Sequence, residues 1–208
     1  MSKLARSVLL SCVVLAISSC NGSVERLPGV PAVLLGASII ENWQYSIDFA
    51  SLQWIDKGIS GQKCREVRAR VQQDVVALHP VTLHLLCGTN DILSGNTSPE
   101  VTHADVMDIV AQARAANISV ILATLPPVRA GVGASFGPDT PQKIIDYNTW
   151  MRNYAHDENL PLADYYNALV GDDGQMVASY TFDGIHPSLA GYKIMTPILI
   201  RLLEESNP

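Results

Sequence analysis

Residues 31–40 read Pro-Ala-Val-Leu-Leu-Gly-Ala-Ser-Ile-Ile. An apolar run without polar alternation, closed by Gly36, has the composition of a strand buried on both faces. Such strands belong to parallel sheets covered by helices. Ser38 follows two residues past the glycine, where the strand turns over into a helix. The same alternation continues along the chain. Residues 52–59 make a weaker second strand, and residues 63–78 place Val67, Val71, Val75 and Leu78 at helical spacing. Pro80 stops that helix at His79. Further strands are expected at 81–87, 118–125 and 160–164. Helices are expected at 98–116, opened by Ser98 and Pro99, and at 141–158. The last helix spans 188–205, with Pro197 expected to kink it or reset its start. Strand–helix alternation at this spacing predicts an α/β domain with a parallel sheet between two helical layers.

The composition agrees with one such domain. The chain has 208 residues, 48% hydrophobic and only 16% charged, enough apolar side chain for a single core and too much for disorder. Its formal charge is −6 with no basic cluster, which argues against a nucleic-acid partner. The longest uncharged apolar run lies at the N-terminus and is too short to span a bilayer.

That run has the anatomy of an export signal. Lys3 and Arg6 form a basic start, an apolar stretch follows, and small residues precede Cys20. Ile17-Ser18-Ser19-Cys20 resembles a bacterial lipobox, in which the last cysteine is lipidated and becomes the new first residue. Residues 1–19 are thus expected to be removed, 20–28 to act as a tether, and 29–208 to form the domain. Lipid on Cys20 would hold the protein to a membrane without a spanning helix. Asn21 after the cysteine, in place of Asp, resembles lipoproteins sorted to the outer membrane, so the expected location is the bacterial cell envelope.

In sheets of this kind, chemistry sits beyond the carboxyl ends of the strands. Ser38, Gly61 and the pair Asn90-Asp91 each follow a strand, and Asp183 and His186 precede the last helix. Together they supply what ester hydrolysis requires. Ser38 is the nucleophile candidate. His186 is the base candidate, because imidazole titrates near neutrality. Asp183, three residues earlier, can orient that imidazole. The amides of Ser38 and Gly61 and the Asn90 side chain can receive the oxyanion.

The same residues carry a family resemblance. Leu35-Gly36-Ala37-Ser38-Ile39-Ile40 resembles the nucleophile block of the SGNH (GDSL-type) hydrolase superfamily. Gly58-Ile59-Ser60-Gly61 is similar to its second block and Gly88-Thr89-Asn90-Asp91 to its third. Asp183-Gly184-Ile185-His186-Pro187, followed by Gly191-Tyr192, is similar to its fifth. The resemblance spans nearly the whole domain and implies a flavodoxin-like five-stranded sheet and a serine esterase working through an acyl-enzyme. It implies no metal and no nucleotide cofactor. Superfamily substrates include acetylated carbohydrates, thioesters, aryl esters and lysophospholipids. The short chain, with no lid insertion, suggests an open pocket for short acyl esters of carbohydrate or small lipid. One position departs from the pattern: Ala37 stands where the family usually has Asp. Its absence removes local hydrogen bonding around the nucleophile turn and leaves open a weak or inactive surface lipoprotein that binds glycan or lipid. An α/β-hydrolase is disfavoured by the missing Gly-x-Ser-x-Gly elbow, and a cofactor-binding flavodoxin by a first loop, Ala37-Ser38-Ile39-Ile40, that lacks a hydroxyl-rich phosphate cradle.

The remaining signals are weaker. His84 reads as a core histidine, and His79, His103 and His156 as solvated ones. Gly131, Gly133 and Gly137 lack dinucleotide-loop spacing and belong to a long loop, 126–141, expected to border the site. Asp172-Asp173 reads as a turn. Trp43, Tyr45 and Phe136 are either apolar walls, a sugar-stacking face or ordinary packing. Cys64 and Cys87 are expected as two buried thiols, with a bridge as the alternative in an exported protein. The oligomeric state is not readable from the chain.

Overall fold

A computed structural model describes residues 32–46 and 54–206. The expected signal, lipobox, tether and the first two residues of the second strand lie outside this range. Five strands, β1 (Ala32–Gly36), β2 (Trp54–Gly58), β3 (Thr82–Leu86), β4 (Ser119–Ala123) and β5 (Leu162–Ala163), form one sheet in the order β2-β1-β3-β4-β5. Every pairing is parallel. β1 and β3 are buried throughout, as their unbroken apolar runs require.

The helices are α1 (Ser38–Glu41), α2 (Cys64–Ala69), α3 (Val71–Asp74), α4 (Thr89–Ser94), α5 (Pro99–Ala115), α6 (Thr140–Asp157), α7 (Tyr165–Leu169) and α8 (Leu189–Ser206). On one face α2 and α3 pack on α5, and α5 meets α6 where His103 stacks on Trp150. On the other face α8 covers α1, and the Tyr192 hydroxyl donates to the Ile39 carbonyl at 2.8 Å. Trp43, Tyr165, Tyr192 and Leu199 fill the space beneath and are fully or almost fully buried. Among the described residues no helix is long and apolar enough to cross a membrane.

Several expectations need correction. The single helix at 63–78 is interrupted at Arg70, whose backbone sits at φ −108°, ψ 6°, and it ends in a 3-10 turn over Val76–Leu78. Apolar spacing continues across the break because Val67, Val71 and Val75 all still face the core. Ser98 occupies the cap position of α5, yet its hydroxyl makes no capping bond. Pro197 lies inside α8, which nevertheless begins at Leu189. α7 went unforeseen; Asp164 caps it by accepting from the Asn167 amide at 3.2 Å. Cys64 and Cys87 are not free thiols but a disulfide with Cα atoms 5.4 Å apart. The bond joins the start of α2 to the end of β3. Sequence spacing alone could not reveal this proximity, which a parallel crossover creates.

Candidate active site

β1 lies between β2 and β3, so the chain leaves β1 in one direction and returns past it in the other. A crevice opens at such a switch point, beyond the carboxyl ends of the strands. Ser38 opens α1 at the tip of β1, and Asn90 lies in the first turn of α4 past β3. The loop between β2 and α2 carries Gly61 at φ +81°, a backbone setting that glycine adopts without strain.

Asp183 and His186 arrive from the loop before α8. His186 Nε2 lies 2.8 Å from Ser38 Oγ, and His186 Nδ1 lies 2.7 Å from Asp183 Oδ2. The carboxylate beside Nδ1 keeps a proton there, which leaves Nε2 as the acceptor facing the serine hydroxyl. Asp183 Oδ1 accepts from the amides of Ile185 at 2.9 Å and His186 at 2.8 Å. Burial pushes the Asp183 carboxyl upward, but these amides and the His186 ring outweigh it and hold the group below the usual range. Asp183 therefore stays ionised at neutral pH.

The segment is braced from behind. Thr181 Oγ1 donates to the His186 carbonyl and accepts from the Gly184 amide, each at 2.8 Å. From the long loop, the Arg129 amide donates to the Gly184 carbonyl and the Ala134 amide to the Asp183 carbonyl, both at 2.7 Å. A Cβ on Gly184 would sit 2.3 Å from the Arg129 carbonyl oxygen, so only glycine permits this approach. The loop expected to border the site thus props up Asp183 and His186.

Asn90 is half-buried, and its Nδ2 donates to the Gln62 carbonyl at 2.9 Å. That bond occupies one of its two N–H donors and leaves the other for a ligand. Ser38, Gly61, Asn90, Asp183 and His186, the residues marked by the sequence, all line one open hollow of about 350 Å³. A second space beside Ser38, walled by Ala37, Leu86 and Gly88, measures only about 10 Å³, roughly the room of one water.

Phe182 is the residue the sequence reading missed. It is 60% exposed, and its ring lies over the His186 imidazole with centroids 5.6 Å apart and planes within 14°. It lines both the hollow at Ser38 and an outer one that also includes Tyr45, Pro187 and Leu189. Its position just before Asp183 was the available signal. Tyr45 is exposed at the rim, Trp43 is core and donates from Nε1 to Thr196 Oγ1 at 3.0 Å, and Phe136 packs half-buried against the core.

Among the histidines, His84 is buried as expected and meets the Tyr165 hydroxyl at 3.2 Å; burial lowers its pKa to about 4. His156 is exposed. His103 departs from expectation, because it lies flat on Trp150 at 3.8 Å and is half-buried. Asp173, in the expected turn, pairs with Arg129 at 2.7 Å.

The sequence profile of the GDSL-like Lipase/Acylhydrolase family matches residues 29–194. The chain belongs to this family. Among solved structures, a provisional acylhydrolase from Bacteroides fragilis aligns with TM-score 0.78 at 31% identity, covering 84% of this chain and 86% of that one. A GDSL-like lipase from Bacteroides thetaiotaomicron aligns with TM-score 0.77 at 30% identity, covering 84% and 88%. An acetylxylan esterase from Geobacillus stearothermophilus is 25% identical over 155 residues, 71% of this chain and 70% of its own length. This member of the GDSL-like family is a carboxylic ester hydrolase with the SGNH-type α/β/α fold.

Proposed function

We propose that the protein cleaves short acyl esters of carbohydrates through a serine acyl-enzyme, with Ser38, His186 and Asp183 as its triad. The observation that carries this reading is the continuous chain from Ser38 Oγ through His186 to Asp183, at 2.8 and 2.7 Å, opening onto solvent. His186 Nε2 takes the hydroxyl proton as Ser38 Oγ attacks the ester carbonyl. The amides of Ser38 and Gly61 and the free N–H of Asn90 receive the oxyanion. As the tetrahedral centre collapses, the bond to the alcohol oxygen breaks and His186 returns its proton to that oxygen. Water then repeats the sequence on the acyl-enzyme and releases the acid. Asp183 remains ionised and stabilises the imidazolium.

Two features support the substrate class. We assign the acyl group to the space of about 10 Å³ beside Ser38, room for little more than a methyl, and the alcohol to the wide hollow, beside which Phe182 and Tyr45 are exposed. An aromatic face beside polar side chains suits a sugar ring. The acetylxylan esterase relative is in keeping with this class. Lipid on Cys20 and a place in the cell envelope complete the proposal, resting on the N-terminal sequence pattern.

Hydrolysis of p-nitrophenyl esters from C2 to C12 tests the chemistry. We expect the highest kcat/KM at C2, a steep fall beyond C4, and no turnover by Ser38→Ala. A folded protein inert to every ester, including acetylated xylo-oligosaccharides, would overturn the reading in favour of a glycan- or lipid-binding lipoprotein. Intact mass of the membrane-extracted protein tests the anchor: acyl chains on Cys20 support it, and an unmodified cleaved chain contradicts it.

A further inference from the structure

Oxyanion donors must be aimed before the reaction begins, since their value lies in costing no reorganisation in the transition state. Gly61 is badly placed for this by its own loop. Residues 60 and 61 are exposed, and no heavy atom lies within 4 Å of the point where a Gly61 Cβ would sit. Something other than packing holds this amide in place.

A long main-chain bond closes the turn, the Gln62 amide donating to the Ile59 carbonyl at 3.4 Å, and two side chains anchor it from outside, one at each end. Glu41 lies one turn past Ser38 on α1, and its Oε2 accepts from the Ser60 amide at 3.1 Å and from the Ser60 hydroxyl. Arg70 grips the other end. Its Nε donates to Gln62 Oε1 at 2.7 Å and its Nη2 to the Gly36 carbonyl at 2.7 Å, two residues before the nucleophile. Its Nη1 pairs with Asp74 at 2.6 Å, and only 11% of the side chain is exposed. The main-chain carbonyl of Gln62 in turn accepts from Asn90 Nδ2 at 2.9 Å. Ser60 is therefore tied to the helix that begins at Ser38, and Gln62 to the strand that ends before it. Position 37 contributes no side-chain hydrogen bond to these ties, because it is alanine. The backbone break between α2 and α3 falls at Arg70 itself.

We propose that Arg70 and Glu41 are positioning residues that fix the Gly61 amide and the Asn90 side chain relative to the Ser38 hydroxyl. The inference rests on the reading of Ser38, Gly61 and Asn90 given above. The guanidinium is essential in this arrangement: it serves Gln62, Gly36 and Asp74 from three nitrogens in one plane, and an ammonium cannot reproduce that fork.

The test is steady-state hydrolysis of p-nitrophenyl acetate combined with inhibition by a trifluoromethyl ketone, which forms a tetrahedral oxyanion on the serine. Removing one oxyanion donor outright costs about 10²–10³ in kcat, so misaiming donors should cost about 10–100-fold. Arg70→Lys and Arg70→Met are expected to lose that much in kcat with KM changed less than about 3-fold. Their affinity for the ketone should weaken by the same factor as kcat/KM. Glu41→Gln, which keeps one acceptor, should lose less, about 3–10-fold, and it carries the test if the Arg70 variants do not fold. Val110→Ala, a buried change on α5, controls for destabilisation: it should lower the melting temperature but leave kcat and ketone affinity unchanged. Arg70 and Glu41 variants with wild-type kcat would overturn the inference alone. So would losses that Val110→Ala reproduces at an equal drop in melting temperature. A wild-type protein that neither hydrolyses the ester nor binds the ketone would overturn the esterase reading and this inference together.

Discussion

Residues 181–187 carry most of their own scaffolding, whereas residues 60–62 borrow theirs from other elements. In the first segment Asp183 is bonded by amides two and three residues ahead, Thr181 closes the loop on itself, and outside support comes from main-chain amides. In the second, one long main-chain bond, from the Gln62 amide to the Ile59 carbonyl at 3.4 Å, is supplemented by three side chains from outside the loop, Glu41, Arg70 and Asn90. A self-closed loop keeps its shape through its own bonds and main-chain amides, while a borrowed one depends on the side chains of other elements. Substitutions outside the loop should accordingly disturb the oxyanion side much more than the acid–base side.

The largest effect should come from within the self-closed loop. Asp183→Asn keeps the size of the side chain but favours the wrong imidazole tautomer, and we expect kcat to fall by about 10³–10⁴ with a small change in KM. A loss under 10-fold would mean that His186 is oriented by other groups. Next comes Asn90→Ala, which removes one oxyanion donor and should lower kcat by about 10²–10³. An intact kcat there would take Asn90 out of the oxyanion site.

Arg129 then distinguishes the two kinds of support. Its side chain bonds the Met176 carbonyl and Asp173, but it is its main-chain amide that holds Gly184. Arg129→Ala retains that amide, so kcat should change less than about 5-fold. A loss matching that of Arg70→Met would erase the contrast between the two loops.

The smallest effect concerns stability. Asp56, on β2, accepts from the Gly58 amide at 2.7 Å with Oδ1, while Oδ2 is buried without a hydrogen-bond partner. Burial raises its pKa to about 6, with the nearby Glu41 charge adding to the shift. The folded state therefore binds a proton that the unfolded chain releases near pH 4. Asp56 thus makes stability fall as pH rises from about 4 through 6. Melting curves of Asp56→Asn and wild type should lie nearest at pH 4 and diverge in favour of the variant at pH 7.5. Parallel curves would contradict the buried placement of the carboxyl.

The same contrast explains what could be read from the sequence. Asp183 and His186 are three residues apart in one loop, so their partnership is written locally. Alternation foretells the parallel sheet and the family resemblance its flavodoxin-like form, and β1, β2 and β3 end two to four residues before Ser38, Gly61 and Asn90. Arg70 carries no such mark: it sits in a helical apolar pattern that runs unbroken from Val67 to Val75, and only the folded chain brings its guanidinium beside Gly36. The Cys64–Cys87 disulfide was hidden for the same reason, since crossing from β2 to β3 creates the contact. Phe182 was visible as an aromatic beside the acid, but its stacking on His186 depends on a backbone that only folding defines.

The most direct test of the account is covalent labelling of the purified protein with a serine-directed phosphonate, read by intact mass and peptide mapping. The account predicts one adduct per chain, located on Ser38, lost in Ser38→Ala and strongly slowed in His186→Ala. Absence of labelling on a folded protein, or an adduct on any other residue, would contradict it.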